Sequence, residues 1–341
     1  MHTLHSFNDW LPVIFMALMG LAMLAYVVLD GYDLGVGILL PNADAEQKDK
    51  MISSIGPFWD ANETWLVLGV GILLTCFPVA HGIILGALYL PVSVMLLGLM
   101  LRGVSFDFRS KAQASHRPSW NFLFFAGSLL TALSQGWMLG SYILGFDQSW
   151  PAYLFSALIS VCMVAGYALL GATWLVMKTD GPLQLKAVLW GRNTLWLTGL
   201  GVASVSLATP MISAEIFNKW FTLPYIVLLL PVPIATMGLF FIIHRSLGRL
   251  PIRLATDNHY GDWVPFGCTV GVFFLAFYGL SYSLFPYLVV DRMTVWQAAS
   301  APEALRLIFI GAVFVLPVVI ASTVFSYRVF SGKARELTYG N

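Results

Sequence analysis

The chain has 341 residues, of which 58% are hydrophobic and 10% are charged, and its mean hydropathy is +0.79. Water-soluble domains carry about 25% charged residues, so this composition excludes a soluble globular protein and also a disordered or coiled-coil chain. The 18 basic and 17 acidic side chains are balanced and form no basic cluster, which excludes nucleic acid as a partner and leaves membrane lipid as the surrounding medium.

Apolar runs long enough to cross a bilayer recur along the whole sequence. A transmembrane helix needs about 20 predominantly apolar residues. Nine runs meet this requirement, at residues 11–40, 57–78, 79–101, 119–145, 150–177, 190–209, 223–247, 262–285 and 304–329. We therefore predict an all-α integral membrane protein with nine transmembrane helices, forming a single membrane domain over residues 1–341.

The positions of lysine and arginine predict the orientation of these spans. Fifteen of the 18 lysine and arginine residues follow the first, third, fifth, seventh and ninth spans, and the opposite side holds only Lys219, Arg292 and Arg306. Cytoplasmic loops are enriched in these residues, so we predict an N-terminus outside and a C-terminus in the cytoplasm. The connecting segments are short, and we expect the chemistry to lie within the membrane.

Two pairs of acidic residues interrupt the first two spans. Asp30 and Asp33 lie inside the first apolar run, whereas Asp60 and Glu63 lie at the cytoplasmic start of the second. Ionisable side chains within a span cost about 2.5–3.5 kcal/mol on the insertion scale and indicate functional sites. Each pair is spaced i,i+3 and shares a helix face. Because the two helices are consecutive and antiparallel, we expect all four acids to converge at a similar depth.

Helix capping is the alternative explanation for Asp60. Pro57 suits a first helical turn, and an acid there complements the positive end of the helix dipole. This explanation fails for Asp30 and Asp33, which lie toward the C-terminal half of their helix and need protonation, water or a buried cation. Arg102, at the cytoplasmic end of the third span, is the nearest candidate cation, with an interfacial anchor as its alternative role.

Desolvated carboxylates can exchange protons near neutral pH, and chains of them are typical of proton pathways. We therefore predict a pathway entered from the cytoplasm. Its acids are Asp30, Asp60, Asp33 and Glu63, and its supporting polar residues are Asn62, Arg102 and Gln135. Gln135 is a lone amide in the fourth span, where an interhelical hydrogen bond is the first interpretation and a place in a polar pathway the second.

Other residue types argue against further sites. The three cysteines lie in apolar runs and form neither a disulfide framework nor a metal motif. The glycines within residues 35–37 and 69–71 follow no strand and suit helix contacts better than phosphate binding. None of the six histidines lies in the middle of a span, where a membrane-buried haem would need its axial ligand, so we expect no haem held wholly by this chain.

Three segments together resemble subunit II of the cytochrome bd-type quinol oxidases. They are DGYDLGVG at residues 30–37, SIGPFWDANETWL at residues 54–66 and LRGVSFDFRSK at residues 101–111. The similarity is dense from about residue 28 to residue 111 and looser afterwards. The short loops and compact length resemble the cyanide-insensitive branch of that family.

The resemblance implies a fold, cofactors and partners. It implies two four-helix bundles, over residues 1–145 with the acidic motifs and over residues 146–285, followed by a peripheral ninth helix and cytoplasmic tail over residues 286–341. It implies a haem-bearing subunit I that carries haem b and haem d, a quinol substrate, a small single-span subunit as a further partner and a bacterial inner-membrane location. The complex would reduce dioxygen to water, with Asp30 and Asp60 at the positions that feed protons toward the haems.

Two other functions remain open from the residues alone. A proton- or cation-coupled secondary transporter could bind its ion at the same four acids, although transporters usually show two matching halves with a site near the midplane. A structural scaffold without a proton role is also compatible with the motifs. The leading hypothesis is a haem-free oxidase subunit that supports assembly of its partner and conducts protons.

Overall fold

The computed structural model describes residues 7–113, 115–212, 214–223, 225–256 and 259–334. The helices, in chain order, are α1 (Phe7–Leu39), α2 (Ala45–Ile55), α3 (Trp59–Cys76), α4 (Pro78–Lys111), α5 (Arg117–Ile143), α6 (Trp150–Lys178), α7 (Gly181–Ile212), α8 (Ala214–Phe221), α9 (Tyr225–Leu229), α10 (Pro231–Leu254), α11 (Val264–Leu284), α12 (Val295–Ala298) and α13 (Pro302–Val329). A 3₁₀ turn at Leu40–Asn42 continues α1. Strands β1 (Tyr287–Val289) and β2 (Met293–Thr294) pair antiparallel before α12.

Seven helices among the described residues are long and apolar enough to cross a membrane: α1, α4, α5, α6, α7, α11 and α13. The predicted second span corresponds to α3, whose first turns carry the polar acidic motif and lower its hydropathy. The predicted seventh span is divided between α9 and α10. The break falls at Leu230, directly before Pro231, which has no backbone N–H to continue a helix. Length and composition thus identify seven candidate spans among the described residues, and they do not confirm the predicted count of nine.

The chain between the first two predicted spans folds as the amphipathic helix α2, which the sequence analysis left as a connecting segment. Asp44 and Gln47 form a capping box at its start, and Met51 and Ile55 are fully buried on its inner face. The two strands were also not predicted. They have three and two residues, too few for an alternating pattern to be recognised.

Ion pairs join α2 to both halves of the chain. The Arg109 Nη2 atom on α4 lies 2.6 Å from the Asp49 Oδ1 atom. On the other side, the Lys186 Nζ atom on α7 lies 2.9 Å from Asp44 Oδ2 and 2.8 Å from Gln47 Oε1. The helix is therefore held from residues that are far apart in sequence.

Helix α1 is central in the packing and contacts α3, α5 and α6. Its closest approach is to α6, where a Cβ atom on Gly35 would lie 1.8 Å from the Tyr167 carbonyl oxygen. A Cβ on Gly171 would lie 2.3 Å from the Gly35 carbonyl carbon, so both positions require glycine. The helix-contact interpretation also fits Gly69, whose Cβ would meet a Met23 side chain. Gly71 makes no such contact within the described part of the chain, where a Cβ atom on it would have nothing within 4 Å.

Helix α13 packs mainly on α1 and α3, and its most apolar stretch has no buried residue. Near its start the Phe309 ring packs edge-on against Phe7 and Phe15, at centroid distances of 5.6 and 6.5 Å. The Arg306 Nε atom donates a hydrogen bond to Asn8 Oδ1 at 2.7 Å. The N-terminal end of α13 is thereby anchored to the start of α1.

Candidate functional site

A buried guanidinium joins two of the predicted acids. Arg102, on α4, is 1% exposed, and its Nη2 atom lies 2.6 Å from Oδ1 of Asp30 on α1, which is fully buried. The same nitrogen donates a hydrogen bond to Oε1 of Glu63 on α3. Arg102 is thus the counter-ion of the acids rather than an interfacial anchor. These charges join α1, α3 and α4. Removing one of the charged groups would leave another buried without its counter-charge.

Asp33 lies one turn after Asp30 on the same face of α1 and is also fully buried. Its partner is the amide of Asn62 on α3, whose Nδ2 donates a hydrogen bond to Asp33 Oδ2 at 2.8 Å. The Asn62 amide also contacts two tyrosine hydroxyls, those of Tyr32 on α1 and Tyr327 on α13. The second acid of the pair is therefore held by neutral polar groups, whereas the first is held by a cation.

Gln135 forms the interhelical hydrogen bonds that its sequence position suggested. Its Nε2 atom donates to the hydroxyl of Tyr26 on α1 at 2.7 Å, and its Oε1 atom accepts a hydrogen bond from the hydroxyl of Tyr167 on α6. Tyr26 lies one turn before Asp30 on the same helix face. The amide on α5 therefore extends the buried polar cluster from α1 toward α6.

The solvent exposure of the acidic side chains decreases from α3 to α1. Asp60 is exposed in the first turn of α3, and Glu63, one turn later, has 29% of its side chain exposed. Asp30 and Asp33 are at 0%. Within the described part of the chain, the Asp60 carboxylate makes no hydrogen bond or ion pair. Its place at a helix start agrees with the capping interpretation. Of the four acids expected to converge, three form the buried cluster and Asp60 lies outside it.

Several buried atoms of the cluster have unused hydrogen-bonding capacity. Oδ1 of Asp33 and both Nε and Nη1 of Arg102 have no hydrogen-bond partner among the described residues. Leaving such atoms unpaired costs about 1–3 kcal/mol each, and more when they are charged. Buried acids beside a cation, open to the surface at Glu63, are chemically suited to accept and pass on protons.

The tyrosines of the cluster were not predicted from the sequence. Tyr32 lies within the first acidic motif, and Tyr26 is one turn from Asp30, so helical spacing alone could have found both. Tyr167 and Tyr327 come from α6 and α13. Tyr327 is 265 residues from the amide it contacts, and no local pattern indicates that pairing.

The histidines provide a test of whether this chain could enclose a haem. A membrane-buried haem needs an axial ligand that faces the iron between helices. His81 is half-buried, and His116, His244 and His259 are exposed, so none of the described histidines fits that position. His2 and His5 lie outside the described residues. In the same described part of the chain, no group of three or more His, Cys, Asp or Glu side chains is placed to hold a metal ion.

Comparison with known proteins supports the resemblance first seen in the motifs. The family model for cytochrome bd terminal oxidase subunit II matches residues 11–330. Cytochrome bd ubiquinol oxidase subunit 2 of Bacillus subtilis is 28% identical over 338 residues, covering 92% of this chain and 94% of the relative. Cytochrome bd-I ubiquinol oxidase subunit 2 of Escherichia coli K12 is 32% identical over 194 residues, covering 52% of this chain and 51% of the relative.

The fold is also similar to that of a solved structure. A chain of the bd oxidase from Geobacillus thermodenitrificans superposes with a TM-score of 0.75 at 20% sequence identity, covering 94% of this chain and 98% of that chain. The chain therefore belongs to the cytochrome bd terminal oxidase subunit II family, as a multi-pass subunit of a haem-containing quinol oxidase complex of the bacterial inner membrane that also includes a subunit I.

Proposed function

We propose that this chain is the haem-free subunit of a terminal oxidase that couples quinol oxidation to the reduction of dioxygen to water. In this proposal it supports assembly of the haem-bearing subunit I and conducts protons from the cytoplasm. The observation that carries the proposal is the Arg102 ion cluster. It begins at the partly exposed Glu63 and ends at two fully buried carboxylates.

The proposed pathway follows the order of exposure. Asp60, exposed at the start of α3, collects protons at the mouth, and Glu63 lies one helical turn further in. Arg102 then bridges Glu63 to Asp30, and Asp33 is the next acid on the same face of α1. Arg102 keeps its charge throughout, because a guanidinium is not deprotonated in proteins. Its role is to hold the two acids close enough for a proton to pass between them.

We extend the proposal to topology. Nine spans arise if α3 and α10 cross the membrane with the seven more apolar helices. The two four-helix bundles would then be α1, α3, α4 and α5, followed by α6, α7, α10 and α11. The bias of lysine and arginine supports an N-terminus outside and a C-terminus in the cytoplasm, which puts Asp60 and Glu63 on the cytoplasmic side.

We assign the haems to the partner. The described histidines lie at the surface of this chain, which supports placing haem b and haem d in subunit I, where they would carry out the electron transfer. This chain contributes carboxylates and a fixed guanidinium, groups that move protons and stabilise charge. A small single-span subunit is a further partner in this proposal, and membrane lipid covers the remaining apolar faces.

The test is quinol-dependent oxygen consumption by the whole complex carrying E63Q, D30N or D60N, with the haem absorption spectrum measured on the same sample. We expect E63Q and D30N to slow turnover by about tenfold or more, equivalent to about 1.4 kcal/mol or more in the barrier, at normal haem content. D60N should slow it less, because an exposed collector can be replaced by bulk water. E46Q, which changes an exposed acid on α2, is the matched control and should leave turnover unchanged.

The outcomes separate the remaining functions. Unchanged turnover in E63Q and D30N would favour a structural scaffold, a function that the Arg102 ion pairs between three helices could also serve. Loss of haem would indicate an assembly role for these residues. Solute movement by the isolated chain in vesicles would instead support the secondary transporter.

A further inference from the structure

Three side chains close a ring of hydrogen bonds beside the buried acids. The Asn62 Nδ2 atom donates to the Tyr32 hydroxyl at 2.9 Å, and the Tyr32 and Tyr327 hydroxyls are 2.6 Å apart. The Tyr327 hydroxyl donates to Asn62 Oδ1 at 3.1 Å. Each hydroxyl has one proton, so Tyr32 must donate to Tyr327. Every hydrogen bond in the ring then runs in the same direction.

The Asn62 amide is oriented with its nitrogen toward Asp33 and its oxygen toward Tyr327. Since Tyr327 donates to Oδ1, the amide oxygen points toward α13 and the second N–H points at Asp33 Oδ2, 2.8 Å away. A rotated amide would place its oxygen against the Asp33 carboxylate and the Leu29 carbonyl oxygen, which lies 3.2 Å from Nδ2. Hydrogen bonds arranged in a chain also polarise and strengthen one another. The Tyr327 hydroxyl thus acts on Asp33 without contacting it.

Tyr327 is held in place by ring packing and by the C-terminal tail. Its ring stacks on Phe58 at a centroid distance of 4.5 Å. Just beyond α13, the Lys178 Nζ atom donates to the Phe330 carbonyl at 2.7 Å, and the Ala334 amide donates to the Lys178 carbonyl at 2.7 Å. These contacts fasten the residues after α13 to the end of α6.

A second set of contacts connects the tail to the segment between α10 and α11. The Lys333 Nζ atom lies 3.0 Å from Oδ2 of the buried Asp262 and donates to the Thr179 carbonyl at 2.8 Å. Asp262 Oδ2 also accepts a hydrogen bond from the Gln184 amide at 2.8 Å. An ion pair to a buried carboxylate is stronger than one in open water, because solvent screens it less. The inner end of α13 is therefore fixed by a defined set of polar contacts.

We propose that Tyr327 is a positioning residue: held by the tail contacts of Lys333, its hydroxyl holds the Asn62 amide oxygen and so keeps the amide where an N–H reaches Asp33. Helix α13 is then the element that completes the acid cluster, although most of its length only faces outward. Control of Asp33 by the tail rests on this geometry. Only its effect on turnover rests on the proposed function.

The test is infrared spectroscopy of the whole complex with isotopically labelled aspartate, using the band that D33N removes as the Asp33 signal. Y327F keeps the ring that stacks on Phe58 and removes only the hydroxyl, so the fold is retained. We expect the Asp33 band to shift in Y327F. The K333M variant should shift the same band in the same direction by a smaller amount. Y278F makes the same chemical change at an exposed tyrosine of α11 and should leave the band in place.

Each outcome for the Asp33 band supports or contradicts a stated part of the proposal. A shift in Y327F and K333M with unchanged Y278F supports the proposal. An unmoved Asp33 band in Y327F overturns it, even if the thermal midpoint falls, because the hydroxyl would then have only a structural role. An unmoved band in K333M overturns the part assigned to the tail. A shifted band with unchanged oxygen consumption keeps the positioning role and contradicts the proton pathway instead.

Discussion

Replacement of Arg102 by methionine tests whether the buried ion cluster stabilises the folded protein. The substitution keeps the aliphatic bulk and removes the charge that lies 2.6 Å from Asp30. At that separation and an effective dielectric constant of about 20, the direct attraction is about 6 kcal/mol before the cost of desolvation. Removing one partner of a buried pair typically costs about 3–5 kcal/mol, because the other charge is left uncompensated.

The expected effect can be measured as a thermal midpoint. With an average unfolding entropy of about 2.1 cal/mol/K per residue, a loss of 3–5 kcal/mol from a chain of 341 residues lowers the midpoint by about 4–7 °C. D30N in the R102M background removes the carboxylate that has lost its counter-ion. The double variant should therefore lose about 2–3 kcal/mol less stability than the sum of the two single changes. Differential scanning fluorimetry of the solubilised complex provides all three midpoints.

An exposed ion pair is the control. Lys186 lies 2.9 Å from Asp44, and the two side chains are 37% and 74% exposed, so K186M should cost no more than about 1 kcal/mol. Two results would contradict a desolvated ion cluster. One is a loss of stability in R102M as small as that in K186M, and the other is simple additivity of the stability losses in R102M and D30N. Either result would mean that water reaches the cluster freely.

Two further predictions concern helix packing. G35A should prevent stable association of α1 with α6, because the added Cβ would overlap the Tyr167 carbonyl. The readout is loss of the folded complex on size-exclusion chromatography. G71A, whose Cβ would have nothing within 4 Å in the described part of the chain, should be neutral or stabilising by about 0.5–1 kcal/mol. Q135L should lower stability by about 1–3 kcal/mol in the thermal assay used for R102M, because two buried tyrosine hydroxyls would lose their hydrogen bonds to the amide. The control is S93A, which removes a hydroxyl bonded within its own exposed turn and should change stability by no more than about 0.5 kcal/mol.

The sequence predicted those parts of the site that depend on local spacing. The i,i+3 pairs identified Asp30 with Asp33, and the antiparallel order of consecutive spans brought Glu63 to them. Arg102 could be named as a candidate cation because it ends the next span. These inferences need only helical periodicity and short loops, which act over one or two helices.

The remaining features depend on contacts that periodicity does not encode. Tyr327 reaches Asn62 across 265 residues, and its partner was therefore not predictable from spacing. The exposure of Asp60 follows from where α3 begins, a boundary that differs from the expected one by two residues. Gly35 and Gly71 belong to similar motifs, yet only one meets another backbone, because the difference lies in what packs opposite them.

The two-sided attachment of α2 has a consequence for biosynthesis. Lys186 follows Asp44 by 142 residues, so at about 5–20 residues per second the ribosome needs about 7–28 s to supply the second partner. During that interval, nascent α2 can form its contacts with α1 and its ion pair with Arg109, but the ion pair between Asp44 and Lys186 cannot form. Attachment of the start of α2 to α7 is thereby a late event, which follows synthesis of the first six helices.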